Sequence, residues 1–235
     1  MPAAADEFVG RYGSAVLAGP FAGMVYDPGL LRQIDAPVAK LLGAYERDLL
    51  PHLVAALEPP PSRFIDIGAA EGYYAVGIAR AFPSVPVVAF DASTVERRRC
   101  AAQAVANGVA GRVEIRGICT AADLRGLAVP GALVLSDCEG AEVEIFDAAT
   151  VTSLSHATVI VELHGAESAR IVPERFRSTH EVEIVRQSRT DPGEYPLLEG
   201  LPETLREPAL AEYRPEPGVW GVFRPRVPTV GELQQ

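Results

Sequence analysis

Six side chains that can trade protons or hold cations stand where short apolar runs end: Asp66, Asp91, Asp137, Glu139, Glu162 and His164. Each run has the length and composition of a buried strand. In open α/β sheets ligands bind at the carboxyl ends of the strands, so all six fall where chemistry would be done. Asp91 closes its run 25 residues beyond Asp66, a normal span for one βαβ unit. A carboxylate at the tip of a second strand sits where a ribose edge would lie and can accept bonds from both hydroxyls. Strand period two places Glu162 and His164 on one face. An imidazole, with an ordinary pKa of about 6.5, is a candidate general base. Asp137, Glu162 and His164 also form a donor set that suits a hard divalent cation. Nothing in their spacing demands one, and no metal ion is expected. His180 is a weaker candidate near a later strand start, and His52 and His156 read as surface or helix-end residues.

The first of these carboxylates lies in the stretch that organises the chain, Phe64 to Arg80, FIDIGAAEGYYAVGIAR. It reads as a strand, a turn of small residues through Gly68-Ala69-Ala70-Glu71-Gly72, and a helix from Tyr73. Small residues let a ligand approach the backbone, and a helix N-terminus offers unpaired N–H groups. The dinucleotide fingerprint Gly-x-Gly-x-x-Gly fails at two of its three positions, which hold Ala70 and Tyr73. Further strands are expected at Val85 to Phe90, Arg112 to Arg116, Ala132 to Ser136, Thr158 to Leu163, His180 to Gln187 and Gly218 to Phe223. Helices are expected at Thr94 to Asn107, Ala121 to Leu127 and Glu167 to Phe176, with Arg97 to Arg99 on a solvated face. The last two strands read as an antiparallel edge pair, joined by a long Pro-rich loop without a helix. Asp35 to Leu57 reads as helical, with Pro51 as a break or kink. Residues 1 to 30 suggest a short strand pair or an ordered flap, with Phe21, Met24 and Tyr26 able to close over a site. The chain therefore divides into an N-terminal arm and helical cap over 1–59 and an α/β domain over 60–235, forming one globular unit.

A length of 235 residues suits one large core. The net charge of −10 argues against nucleic acid and against an anionic membrane surface, both of which need clustered Lys and Arg. Three scattered cysteines, Cys100, Cys119 and Cys138, form neither a disulfide framework nor a zinc motif, and read as free thiols in a reducing cytoplasm. Neither a signal peptide nor an apolar run of about 18 residues is visible, so a cytoplasmic protein without membrane contact is expected. A homodimer is compatible with this composition.

Four segments carry a family resemblance: FIDIGAAEGYY (64–74), VVAFDAS (87–93), LVLSDCEGAE (133–142) and VIVELHG (159–165). Their content and order resemble class I S-adenosylmethionine (SAM)-dependent methyltransferases, and more narrowly the FkbM-like group, over roughly Pro60 to Gly165. The resemblance implies a Rossmann-like three-layer α/β sandwich, its seven-stranded sheet mostly parallel with an antiparallel last strand. It implies that Asp66, Gly68, Ala69, Glu71, Gly72 and Tyr73 hold the methionine portion of SAM. Asp91 would take the ribose, with Ala92 and Ser93 beside it, while Cys119 and Thr120 would flank the adenine. Asp137 would border the methyl group and orient or deprotonate the acceptor, with Glu139 and Glu142 behind it and His164 as a further base. The expected reaction is O-methylation of a small-molecule, glycan or natural-product acceptor. The departures are Ala70 where Asn is frequent, Glu71 where an apolar residue is common, and SDCEG without a Lys before its Asp. These bear on the acceptor rather than the cofactor. Three other readings stay open: other chemistry on SAM, a non-catalytic SAM-binding subunit, and an NAD-dependent oxidoreductase.

Overall fold

The computed structural model describes residues 2–212 and 217–226. Seven strands make one sheet: β1 Phe64–Ile67, β2 Val87–Phe90, β3 Val113–Arg116, β4 Leu133–Ser136, β5 Thr158–Glu162, β6 His180–Arg186 and β7 Val219–Pro225. Their spatial order is β3-β2-β1-β4-β5-β7-β6. Strand β7 runs antiparallel to both neighbours, and the remaining pairings are parallel. The sheet expected from the resemblance is therefore the sheet observed, and the α/β class holds.

Helices α1 Pro2–Tyr12, α2 Pro28–Leu31, α3 Pro37–Leu42 and α4 Leu50–Ala56 precede the sheet. Within it come α5 Tyr73–Ala81, α6 Thr94–Ala106, α7 Ala121–Leu127, α8 Glu142–Ile145, α9 Ala148–Ser153, α10 Gly165–Phe176 and α11 Glu203–Leu210. Period two along the buried strands sorts their side chains between two cores. Phe64, Leu133, Leu135 and Ile160 join the core under α5 and the N-terminal arm. Ile65, Ile67, Val134 and Val159 join the core on the opposite face, with Leu124, Ile145, Val151 and Val172. Strands β1, β2 and β4 are buried throughout, which is why they read as continuous apolar runs.

The arm differs from its expectation. Its first segment is the helix α1, and the suggested strand pair is reduced to one antiparallel bridge, Ala15 with Val25. Phe21, Met24 and Tyr26 are buried in the core shared with the sheet rather than poised as a flap. The Phe21 ring stands edge-on to Tyr73 at 5.2 Å. The expected helix over Asp35 to Leu57 is two helices, α3 and α4, because Gly43 (φ 70°) and Glu46 (φ 50°) adopt left-handed backbone between them. The loop before β7 does contain a helix, α11, against the expectation. It is short, contains Pro208, and buries Ala209 and Leu210 as it packs against α1 and α3. Of the expected units, Met1 and residues 213–216 and 227–235 lie outside the described residues. No described helix is long and apolar enough to cross a membrane.

Register fixes what meets at the carboxyl edge. Ile67 pairs with Phe90 on one side and Ser136 on the other, so Gly68, Asp91 and Asp137 leave the sheet side by side. Ser136 pairs in turn with Val161, which brings Glu162 next to Asp137. Strand order turns back between β1 and β4, and that crevice is where ligands settle in this class of sheet.

Candidate active site

The turn after β1 is shaped by close approach. Gly68 has φ 84°, and a Cβ there would lie 1.7 Å from the Asp137 carbonyl oxygen. No other residue fits both the conformation and the gap. The Gly68 and Ala69 N–H groups donate to the Phe90 carbonyl at 2.8 and 2.9 Å. Ala70, in left-handed backbone at φ 46°, donates its N–H to Asp91 Oδ2 at 2.9 Å. Asp91 Oδ1 accepts from Ser93 N–H at 2.7 Å. The second-strand carboxylate thus pins the turn, while its further lone pairs remain available to a diol. Arg97, expected on a solvated face, instead donates to the Asp91 and Ala92 carbonyls at 2.7 and 2.9 Å.

A cavity of about 660 Å³ opens over these strand ends. Among the described residues, seven carboxylates line it, from Asp35, Glu71, Asp91, Glu96, Asp137, Glu139 and Glu212, and two cations, Lys40 and Arg99. Ile67, Phe90, Ile118 and Ile145 supply apolar wall. Gln33, Ile34, Asp35, Lys40 and Tyr45 come from the N-terminal arm, which therefore forms one side of the cavity.

A second set of acids meets at His164, just beyond β5. His164 Nδ1 lies 2.6 Å from Glu142 Oε1, and its Nε2 faces Asp137 Oδ1 at 3.5 Å, Glu139 Oε2 at 3.7 Å and Glu162 Oε1 at 4.0 Å. The Glu142 bond, helped by the charges of Glu162 and Asp137, outweighs burial and lifts the imidazole pKa to about 9. Burial pushes the Glu142 carboxyl up, but His164 and the Gly140 N–H hold it below its usual range. Ligand atoms of Asp137, Glu162 and His164 lie within 4.8 Å of one another, the three residues singled out as cation donors in the sequence.

No family model matches the chain, and no curated protein resembles it in sequence. Solved structures do resemble it. The O-methyltransferase TomG from Streptomyces achromogenes, in complex with SAM, superposes with a TM-score of 0.51 at 16% identity, covering 76% of this chain and 79% of that one. Cofactor-bound Rv0187 from MTB gives 0.53 at 17% identity, covering 86% and 92%. The fold is that of the class I SAM-dependent methyltransferases.

Within this methyltransferase fold the residues singled out from sequence separate into two groups. Gly68, Glu71, Asp91, Ala92, Cys119, Asp137 and Glu139 line the cavity. Asp66, Ala69, Gly72, Tyr73, Ser93, Thr120 and His164 are not part of that lining. Gly72 starts α5 in left-handed backbone, Ser93 caps α6, and Thr120 caps α7 reciprocally with Asp123. Tyr73 packs among aromatic rings. Asp66 is buried, and no donor meets either oxygen with hydrogen-bond geometry. Burial lifts its pKa to about 8, the Ala75 backbone N–H opposing and the charges of Asp137, Asp91 and Glu71 adding to the rise. His180 is fully buried with Nε2 3.0 Å from the Ala157 carbonyl, a structural role. The three thiols are free, and burial raises each to about 12, which disfavours the thiolate. Sequence reasoning allowed the arm over the site through Phe21, Met24 and Tyr26 but missed the arm residues that line it, above all Lys40. A lone Lys inside the apolar run Pro-Val-Ala-Lys-Leu-Leu was the available signal.

Proposed function

We propose that this chain is a SAM-dependent methyltransferase acting on an oxygen of a small-molecule, glycan or natural-product acceptor. The observation that carries the reading is the cavity at the β1/β4 switch point, where the described residues contribute seven carboxylates and two cations. That balance repels a pyrophosphate and suits a sulfonium, which disfavours NAD and favours SAM. The narrower FkbM-like reading rests on the four sequence segments alone.

The residues present fit such a cofactor. The turn 68–72 gives a close backbone approach, with Glu71 at its wall and Asp66 beneath. Asp91 and Ala92 serve the ribose, with Ser93 fixing the Asp91 rotamer. Cys119 borders the adenine, and Ile118, 72% exposed over the cavity, offers the base an apolar face. Thr120 secures that corner through its cap.

When bound, SAM would supply an electrophilic methyl group for an acceptor oxygen, with S-adenosylhomocysteine, a thioether, as the leaving group. The protein positions that oxygen and takes its proton. Asp137 is the proton acceptor, at the tip of β4 on the cavity wall. The acids around His164 favour its protonated form, which offsets the charge of Asp137 and holds it in place, and this leaves the part of base to Asp137. Glu139, its side chain 84% exposed, meets the acceptor at the rim. A positioned base contributes roughly 10² to 10⁴ in rate.

The test is calorimetric titration with SAM, S-adenosylhomocysteine and NAD in parallel, followed by an acceptor panel read out as S-adenosylhomocysteine formed. Binding of the first two without NAD, and turnover lost in Asp137→Asn, is the expected result. Binding of NAD alone overturns the reading.

A further inference from the structure

Lys40 is buried at 5% exposure yet lines the cavity. A buried Lys is rare without a partner. Its Nζ lies 2.7 Å from Glu71 Oε1, and both side chains are shut off from bulk solvent. Glu71 also accepts from Tyr26 Oη at 3.2 Å. The ammonium stands 4.8 Å from the Tyr45 ring centroid and 5.8 Å from that of Tyr73. As a source of stability this is a poor arrangement, because a buried ion pair roughly cancels its own desolvation cost. As a recognition device it has a clear use: two opposite charges, held side by side, facing a ligand cavity.

We propose that Lys40 and Glu71 form a clamp for the zwitterionic aminoacyl end of the cofactor, Lys40 receiving the carboxylate and Glu71 the ammonium. This rests on the cofactor reading above. In the absence of ligand each charge neutralises the other. When the zwitterion arrives, one ion pair becomes an alternating set of four charges with no change in net charge, so no buried charge is stranded. An ammonium has three donors and Glu71 engages one, which leaves capacity for a carboxylate. The two tyrosine faces hold the ammonium in place during the exchange. The pairing also assigns the N-terminal arm a part in recognition, since α3 supplies the cation and the turn after β1 the anion.

The test separates the aminoacyl end from the nucleoside. Wild-type protein is titrated with S-adenosylhomocysteine, with its decarboxylated analogue, and with methylthioadenosine, which lacks the whole aminoacyl group. The decarboxylated analogue should bind roughly 10- to 100-fold more weakly than the parent, as expected for a lost charge-assisted contact. Lys40→Met, and the doubly neutral Lys40→Met/Glu71→Gln, should lose affinity for S-adenosylhomocysteine by a similar factor while holding that for methylthioadenosine. Retained methylthioadenosine binding also certifies the fold of each variant. Equal wild-type affinity for parent and decarboxylated analogue overturns the clamp while leaving the cofactor reading standing. Failure of all three ligands to bind overturns the cofactor reading itself, and the clamp with it.

Discussion

Asp66 carries a cost that a ligand can turn to use. Its pKa moves from an ordinary 3.8 to about 8, chiefly through burial. An acid held higher in the folded state binds more protons there than when unfolded, so stability falls as pH climbs from about 4 through 8. Asp66→Asn should therefore raise the melting temperature at pH 8 and leave it nearly unchanged at pH 4, the gain at pH 8 being ~2 kcal/mol or more. A cationic ligand above the turn favours the ionised form. SAM binding at pH 7 should accordingly release protons, seen as a binding heat that varies with the ionisation enthalpy of the buffer; a buffer-independent heat would remove Asp66 from the linkage. His164 has the opposite sign. A base raised from 6.5 to about 9 contributes stability that is complete below pH 6.5 and lost as pH rises through 9. The contribution is ~2 kcal/mol, and His164→Ala should abolish this limb of the stability profile. The same variant should slow turnover while sparing SAM affinity. A turnover rate that does not change would reduce His164 to a structural role.

At the scale of elements, Gly77 in α5 sets two rules against each other. Alanine is the better helix former by about 1 kcal/mol, so propensity alone predicts stabilisation. A Cβ at Gly77 would lie 2.5 Å from the Phe21 ring, which is locked between Tyr73 and Tyr74. Gly77→Ala should thus destabilise by ~1–3 kcal/mol in chemical denaturation, because overpacking of a dense core prevails. A gain in stability would mean that the arm yields easily. These long-range contacts also mark where the sequence stopped being legible. Strands β1, β2 and β4 were legible because burial on both faces leaves an unbroken apolar run. Helices α6 and α7 lie where they were expected, and each begins at a capping side chain that the sequence reading had given to the cofactor, Ser93 and Thr120. The split between α3 and α4 was hidden because non-glycine Glu46 takes the left-handed turn. Helix α11 was hidden by Pro208 and by a short apolar pattern. In the site, every strand-tip acid could be named from the end of an apolar run. Lys40 showed only as a lone charge in an apolar run, since its partner is 31 residues away and period reading carries no information on such pairs.

For the whole molecule, the net charge of −10 has a local expression in the acidic cavity. SAM carries a net positive charge through its sulfonium, and S-adenosylhomocysteine carries none. Affinity for SAM should fall as sodium chloride is raised from low to physiological levels, while that for S-adenosylhomocysteine stays nearly level. Parallel salt titrations decide this, and equal slopes would mean that the acids are paired within the protein rather than presented to the ligand. The order of the sheet has a consequence of another kind, in the time of synthesis. Among the described residues β6 pairs with β7 and with no other strand, and β7, last in sequence, lies between β5 and β6. A nascent chain emerging from the ribosome can assemble β1 to β5 in turn, but β6 must wait beside an open seat for the final strand. Until then the unpaired rim of β5 and the whole of β6 are exposed to other chains. A chain cut short before Val219 would lose the anchorage of two strands, although only one of them was missing.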